Sequence, residues 1–192
     1  MFHLWNGWTL RGADYMRTQW FHEGVTEYAA NTAIAGSGLV DADWLRSKIA
    51  RHVENSRRLT TTLEEIGNRK GPPLYSAGAL VAFAWDVRIR EASKGRYDLG
   101  DFFRELMRLT DGGRREYAWA DLRAALEATA ADDWEAFYQS YVRGDRRLPI
   151  EQALAAVGQR LVESSEGHVR VEADPGASKS AKRRWAGLVR SP

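Results

Sequence analysis

Two short segments near the beginning of the chain carry the residues best suited to chemistry. Residues 2–7 read Phe-His-Leu-Trp-Asn-Gly, and residues 20–28 read Trp-Phe-His-Glu-Gly-Val-Thr-Glu-Tyr. Nineteen residues separate His3 from Glu23, enough for one helix to return beside another. Zinc sites in hydrolases often combine imidazoles from one helix with a carboxylate from the next, and they leave one position for water. The pair His3 and Glu23 therefore predicts part of a metal site.

These segments resemble two motifs of the glycyl aminopeptidase family, zinc metallopeptidases of the gluzincin group that usually carry a PDZ domain. The family reads His-Glu-x-x-His-x-Trp-Asn and then Trp-Phe-x-Glu-Gly-x-Thr-x-Tyr. Residues 2–7 match the end of the first motif, and residues 20–28 match the second throughout. Residues 75–78, Tyr-Ser-Ala-Gly, resemble the family's Tyr-x-Lys-Gly with alanine in place of lysine. Residues 141–149 resemble a late family signature, so the similarity extends in order over most of the chain.

The resemblance implies zinc as cofactor and hydrolysis of peptides at their N-terminus, with small residues preferred. By the same match His3 is the second zinc histidine, Glu23 is the third zinc ligand, and Tyr75 donates to the oxyanion of the tetrahedral intermediate. The alternative is that Tyr75 has only a structural role, in which its ring packs against the helix and its hydroxyl is exposed to solvent. Glu27, one turn after Glu23, either orients His3 or is a surface acid.

Asn6 and Trp5 line the cleft in one interpretation and serve packing in the other.

The family's first histidine and its catalytic glutamate correspond to positions before Met1. We therefore expect an N-terminally truncated catalytic domain with little or no activity by itself. The alternative is a non-catalytic helical remnant, or pseudopeptidase, that acts as an interaction module.

Helical periodicity dominates the chain. An apolar face predicts a helix over about residues 16–35, and Asp41 is a suitable N-cap for a second helix that ends near residue 57. Residues 75–92 are apolar nearly all round, which is typical of a helix in the middle of a bundle. Further helices are predicted over about residues 98–109, 119–128, 132–141 and 149–161. We expect a mainly α protein, a helical bundle that by resemblance corresponds to the C-terminal part of a thermolysin-like gluzincin catalytic domain.

Composition divides the chain into a body, residues 1–163, and a tail, residues 164–192. The tail is rich in Gly, Ser, Lys and Arg, and is predicted to be basic and disordered. The whole chain has a formal net charge of +2. Residues 168–192 contain six Lys or Arg against two Asp or Glu, a net charge of +4, which leaves the rest of the chain slightly acidic. An acidic body argues against nucleic acid as a partner and leaves a peptide substrate as the expected one.

The remaining expectations concern compartment and association. No stretch of 18 apolar residues is present, so no membrane contact is predicted. The beginning of the chain lacks the features of a signal peptide, which predicts a soluble protein, cytoplasmic if Met1 is the genuine start. With no cysteine, thiolate metal sites are excluded. A truncated domain would expose apolar faces of the helices that contain Trp20 and Leu80, and self-association through those faces is expected.

Overall fold

The computed structural model describes residues 5–67 and 71–189, and this part of the chain is mainly helical, as predicted. A π-helical segment, Trp20–Val25, leads directly into α1, Thr26–Gly36. The next helices are α2 (Ala42–Ser56), α3 (Leu63–Ile66), α4 (Pro72–Ala92), α5 (Leu99–Leu109), α6 (Trp119–Thr129), α7 (Trp134–Tyr141) and α8 (Ile150–Ala156). An antiparallel hairpin of β1 (Gln159–Glu163) and β2 (Val169–Ala173) precedes the last helix, α9 (Lys179–Val189).

Helix α4 lies at the centre of the bundle. It begins with two prolines, whose fixed φ suits the first turn of a helix. Its apolar side chains point in nearly all directions, and it packs against the π-helical segment, α1, α2 and α8. A helix that is apolar all round must be covered on every side to remain in water. Every other part of the candidate site is therefore positioned relative to α4.

The π-helical segment and α4 cross at two glycines with their backbones in contact. A Cβ atom on Gly78 would lie 2.2 Å from the carbonyl oxygen of Trp20, and one on Gly24 would lie 2.3 Å from the Cα of Gly78. Both distances are far below van der Waals contact, so only glycine fits at either position. The close approach fixes the register of the two elements against each other.

Two predicted helix boundaries are wrong. The helix expected to begin at about residue 16 begins instead at Trp20, because Asp14 holds residues 14–18 in a turn. The Asp14 side chain accepts from the Arg17 backbone N–H at 3.1 Å, and the Asp14 carbonyl oxygen accepts from the Thr18 hydroxyl at 2.8 Å. The helix expected to run to residue 161 ends at Ala156. Gly158 has a φ of +71°, which reverses the chain into β1.

The prediction of a disordered tail is wrong for residues 164–189. β2 pairs with β1 along its length, and it buries Val169 and Val171. Helix α9 buries Trp185, and the Arg46 guanidinium lies 5.3 Å from the centre of that ring. Composition misled because Gly, Ser and charged residues make up most of this segment, yet the larger apolar residues of each element fall at spacings that bury them on one side.

The helices that contain Trp20 and Leu80 were expected to expose apolar faces, but both of these residues are buried. Trp20 is 1% and Leu80 2% exposed, because α4 and the π-helical segment cover each other. Within the described part of the chain, the large apolar side chains that are exposed include Trp8 and Leu39, in the turns on either side of the first helix. No helix of the described residues is long and apolar enough to span a bilayer. Self-association remains a prediction.

Candidate active site

Glu23 and Tyr75 are brought together by the glycine crossing. Gly24 follows Glu23 directly, and Gly78 lies one turn after Tyr75. Contact between the two glycines therefore sets the two polar side chains at facing positions. The Glu23 carboxylate lies close enough to the Tyr75 hydroxyl to act on its pKa. Two residues from separate motifs are thus neighbours in the fold, and the roles that the resemblance gives them stay predictions.

The environment of Tyr75 keeps its phenol protonated. Burial, followed by the hydrogen bond to Glu23 and the negative charge of that carboxylate, raises the pKa of Tyr75 to about 12. At neutral pH the hydroxyl is thus a donor and not a phenolate.

Glu23 is a carboxylate in a largely apolar position. Its side chain is 9% exposed and lies on a π-helical turn, a feature that often marks functional sites in helices. Phe21, two residues earlier, is fully buried in an aromatic cluster with Trp85 and Phe102. A buried carboxylate is costly unless a polar or metal partner compensates for the lost hydration. Tyr75 is one such partner.

An open cavity of about 370 Å³ lies beside Tyr75, between α1, α2 and the beginning of α4. Glu27 lines this cavity and is half-buried, so it faces the candidate site more than the outer surface. The other lining residues are Arg51, His52, Asn55, Gly71, Pro72 and Ser76. The predicted contact of Glu27 with His3 stays a prediction, because residues 1–4 lie outside the described part of the chain.

Asn6 contacts the π-helical segment and Trp5 contacts α5, and neither is among the residues that line this cavity. The Asn6 side-chain amide donates to the carbonyl oxygen of Phe21 at 3.1 Å and to the Thr26 hydroxyl at 2.9 Å. Asn6 thus braces the turn that carries Glu23, a role that sequence reasoning did not assign to it. Trp5 packs edge-to-face on Phe103, with ring centres 4.9 Å apart.

The described residues do not by themselves fit a zinc ion. Across residues 5–67 and 71–189, no group of three or more His, Cys, Asp or Glu side chains is close enough to hold a metal. Glu23 has the donor chemistry of one zinc ligand. The second predicted ligand, His3, lies outside the described residues, and a single carboxylate is not a zinc site.

Sequence reasoning missed three polar residues behind the cavity: Asn31, His52 and Ser76. All three are buried, and they are hydrogen-bonded to one another. The available signal was Ser76, a polar residue directly after Tyr75 in an otherwise apolar helix. Asn31 and His52 carry no sequence signal, because their roles depend on how α1 and α2 pack.

A larger cavity, of about 600 Å³, lies between the 59–62 loop and the 144–149 loop. Its floor includes Ala77 and Leu80 of α4, and its rim carries both arginines and acids, among them Arg146, Arg147 and Glu151. Ala77 lies two residues from Tyr75 along α4, which places it on the opposite side of that helix. This cavity is therefore separate from the one beside Tyr75.

The sequence model of the M61 glycyl aminopeptidase family matches residues 1–75, which confirms the resemblance over both early motifs and Tyr75. No curated protein matches the chain. Among solved structures, the chain is similar to an aminopeptidase N family protein from Idiomarina loihiensis, with a TM-score of 0.75 at 19% identity.

That structural similarity is one of fold. It covers 84% of this chain and 32% of the Idiomarina loihiensis protein, so the chain spans about a third of that protein's length. The matched region nevertheless extends far beyond the 75 residues that the family model covers. The helical arrangement around Glu23 and Tyr75 is thus one that a solved aminopeptidase-family protein also has.

Proposed function

We propose that this chain is part of an aminopeptidase-type metallopeptidase of the glycyl aminopeptidase kind. The observation that supports the proposal is the glycine crossing, which sets Glu23 and Tyr75 at facing positions, near enough for the Glu23 carboxylate to raise the pKa of Tyr75. The resemblance gives each residue its role through a different motif. By family resemblance, the reaction is hydrolysis of the first peptide bond of a peptide that begins with a small residue.

The residues have the following proposed roles. Glu23 and His3 would be zinc ligands, and Glu27 would orient His3. Zinc, when bound, supplies a Lewis acid and a water of lowered pKa. Tyr75 holds its proton at neutral pH and can donate it in a hydrogen bond to a developing oxyanion, a type of contact that typically contributes about 2.7–4 kcal/mol to the transition state.

This chain contains two of the three zinc ligands that the resemblance implies, and the family's general base is not among its residues. We therefore propose that the 192-residue chain binds zinc substoichiometrically and hydrolyses glycyl-anilide substrates little or not at all. Elemental analysis after equilibration with zinc, and release of the aniline, measure the two properties.

The assignment of Glu23 is tested by Glu23→Gln, which keeps the shape of the side chain and removes its charge. Zinc uptake should fall in this variant and be unchanged in Glu166→Gln, a control at an exposed acid in the turn between β1 and β2. Equal zinc uptake by wild type and Glu23→Gln would remove the basis of the proposal. Stoichiometric zinc with steady turnover by the wild-type chain would instead contradict the expected lack of activity.

A further inference from the structure

A buried chain of polar groups runs behind the cavity beside Tyr75 and joins three helices. Its members are Glu27 and Asn31 of α1, His52 of α2 and Ser76 of α4, here called the His52 relay. The Asn31 amide nitrogen lies 3.5 Å from a Glu27 oxygen and 3.4 Å from His52 Nε2, and His52 Nδ1 lies 3.1 Å from the Ser76 hydroxyl. His52 is 5% exposed. None of the roles proposed above uses His52, Asn31 or Ser76.

The order of donors in the relay fixes the state of the imidazole. The Asn31 amide nitrogen can only donate, so His52 Nε2 must accept and carries no proton. The proton of the neutral ring is then on Nδ1, which donates to the Ser76 hydroxyl. Turning the Asn31 amide over would place its oxygen against the Glu27 carboxylate, which disfavours the reverse orientation. Glu27 thus fixes the orientation of the Asn31 amide, and that orientation fixes the tautomer of His52.

The Ser76 end of the relay lies in the first turns of α4. Gly71 is the N-cap of α4 and has no side chain with which to cap the helix. The hydrogen bond between Ser76 and His52 is a polar contact that joins this end of α4 to α2. Tyr75 is the adjacent residue, so a shift of this turn moves the Tyr75 hydroxyl relative to Glu23.

We propose that His52, as the neutral Nδ1–H tautomer, is a positioning residue that holds Tyr75 against Glu23 through Ser76. The inference deepens the proposed function and rests on it for its catalytic meaning. It assigns a function to a buried histidine that lies on no motif. It also connects Glu27 to Tyr75 through protein groups alone.

Two isosteric variants of His52 distinguish positioning from packing. The amide nitrogen of His52→Asn takes the place of Nδ1 and keeps the bond to Ser76. The amide oxygen of His52→Gln takes the place of Nε2 and keeps the bond from Asn31 but not the bond to Ser76. The readout is the nuclear Overhauser contact between the Tyr75 ring and the Glu23 side chain, which requires neither metal nor activity.

We expect this contact to be kept in His52→Asn and lost in His52→Gln. It should also be lost in Ser76→Ala. That smaller substitution provides the test if either His52 variant fails to fold. Long-range ¹H–¹⁵N correlations of the wild-type ring should show the proton on Nδ1. His168→Gln, at an exposed histidine of the hairpin, is the control. Equal contacts in His52→Asn, His52→Gln and Ser76→Ala, or a proton on Nε2, would overturn the inference. Neither result would bear on whether Glu23 binds zinc.

Discussion

The glycine crossing gives the sharpest test of how the site is built. Substituting Gly78 by alanine adds one methyl group at a point where it meets the carbonyl oxygen of Trp20 at 2.2 Å and the Cα of Gly24 at 2.9 Å. Both obstacles are backbone, so no side-chain rotation can relieve the overlap. The π-helical segment and α4 have to move apart, and Tyr75 moves away from Glu23.

Two opposing effects set the size of the change. Alanine has a helix propensity about 1 kcal/mol more favourable than that of glycine. Overpacking of a core costs about 1–3 kcal/mol, occasionally more, and a clash between two backbones belongs at the upper end of that range. We expect Gly78→Ala to lower the free energy of unfolding by about 2 kcal/mol. For a chain of this length, that corresponds to a melting temperature lower by about 4–8 °C.

Urea unfolding followed by tryptophan fluorescence measures the change, and the Tyr75 to Glu23 Overhauser contact reports the geometry. Gly187→Ala is a control in another helix, because its added methyl group meets no backbone atom and contacts only the Arg90 side chain, at 3.1 Å. That variant should be as stable as wild type or more so. If Gly78→Ala is also unimpaired in stability and keeps the contact, the crossing does not position the site.

Three further outcomes are expected. Burial lowers the pKa of His52 to about 4, with Glu27 opposing this and Arg51 and Lys48 adding to it. The unfolded chain therefore binds more protons than the folded one between about pH 6.5 and pH 4. As the pH falls through this range, the free energy of unfolding of wild type should drop by about 3 kcal/mol more than that of His52→Asn, as measured by urea titrations. Trp185→Ala should cost about 3–5 kcal/mol and open the hairpin and α9 to limited proteolysis, whereas Leu39→Ala, at an exposed site, should not. Glu23→Gln should unfold at the same urea concentration as wild type or a higher one, because it removes a buried charge; a large loss would make Glu23 structural.

The parts of the fold that could be predicted are those with a strong local pattern. Helix α4 was predicted because the apolar run over residues 79–85 is typical of a buried helix. Asp41 is the N-cap expected for α2, and its side chain accepts from the Trp44 backbone N–H at 2.9 Å. The hairpin and α9 were missed for the opposite reason. Their apolar residues are few and widely spaced, and they become meaningful only when α2 and α8 offer a surface to cover.

The candidate site shows the same division. The motifs gave Glu23 and Tyr75 separate roles, and their closeness to each other follows from the glycine crossing. For Asn6 the sequence left cleft lining and packing open, because its bond to the Phe21 carbonyl depends on the π-helical turn. No pattern in a single sequence distinguishes a π turn from an α turn over six residues. His52 was missed because its polar neighbours, Asn31 and Ser76, are brought to it only by the packing of α2 against α1 and α4.

The second motif can now be explained residue by residue. Every matched position except one has a structural task that any protein with this packing would need. Trp20 packs on Trp85, Phe21 fills the aromatic cluster, Gly24 meets Gly78, Thr26 accepts from Asn6, and Tyr28 donates to the buried Asp86 at 2.9 Å. Glu23 differs from these residues, because a buried carboxylate costs free energy that an apolar side chain in the same place would not cost. The other matched residues thus form the packing around one buried acidic group.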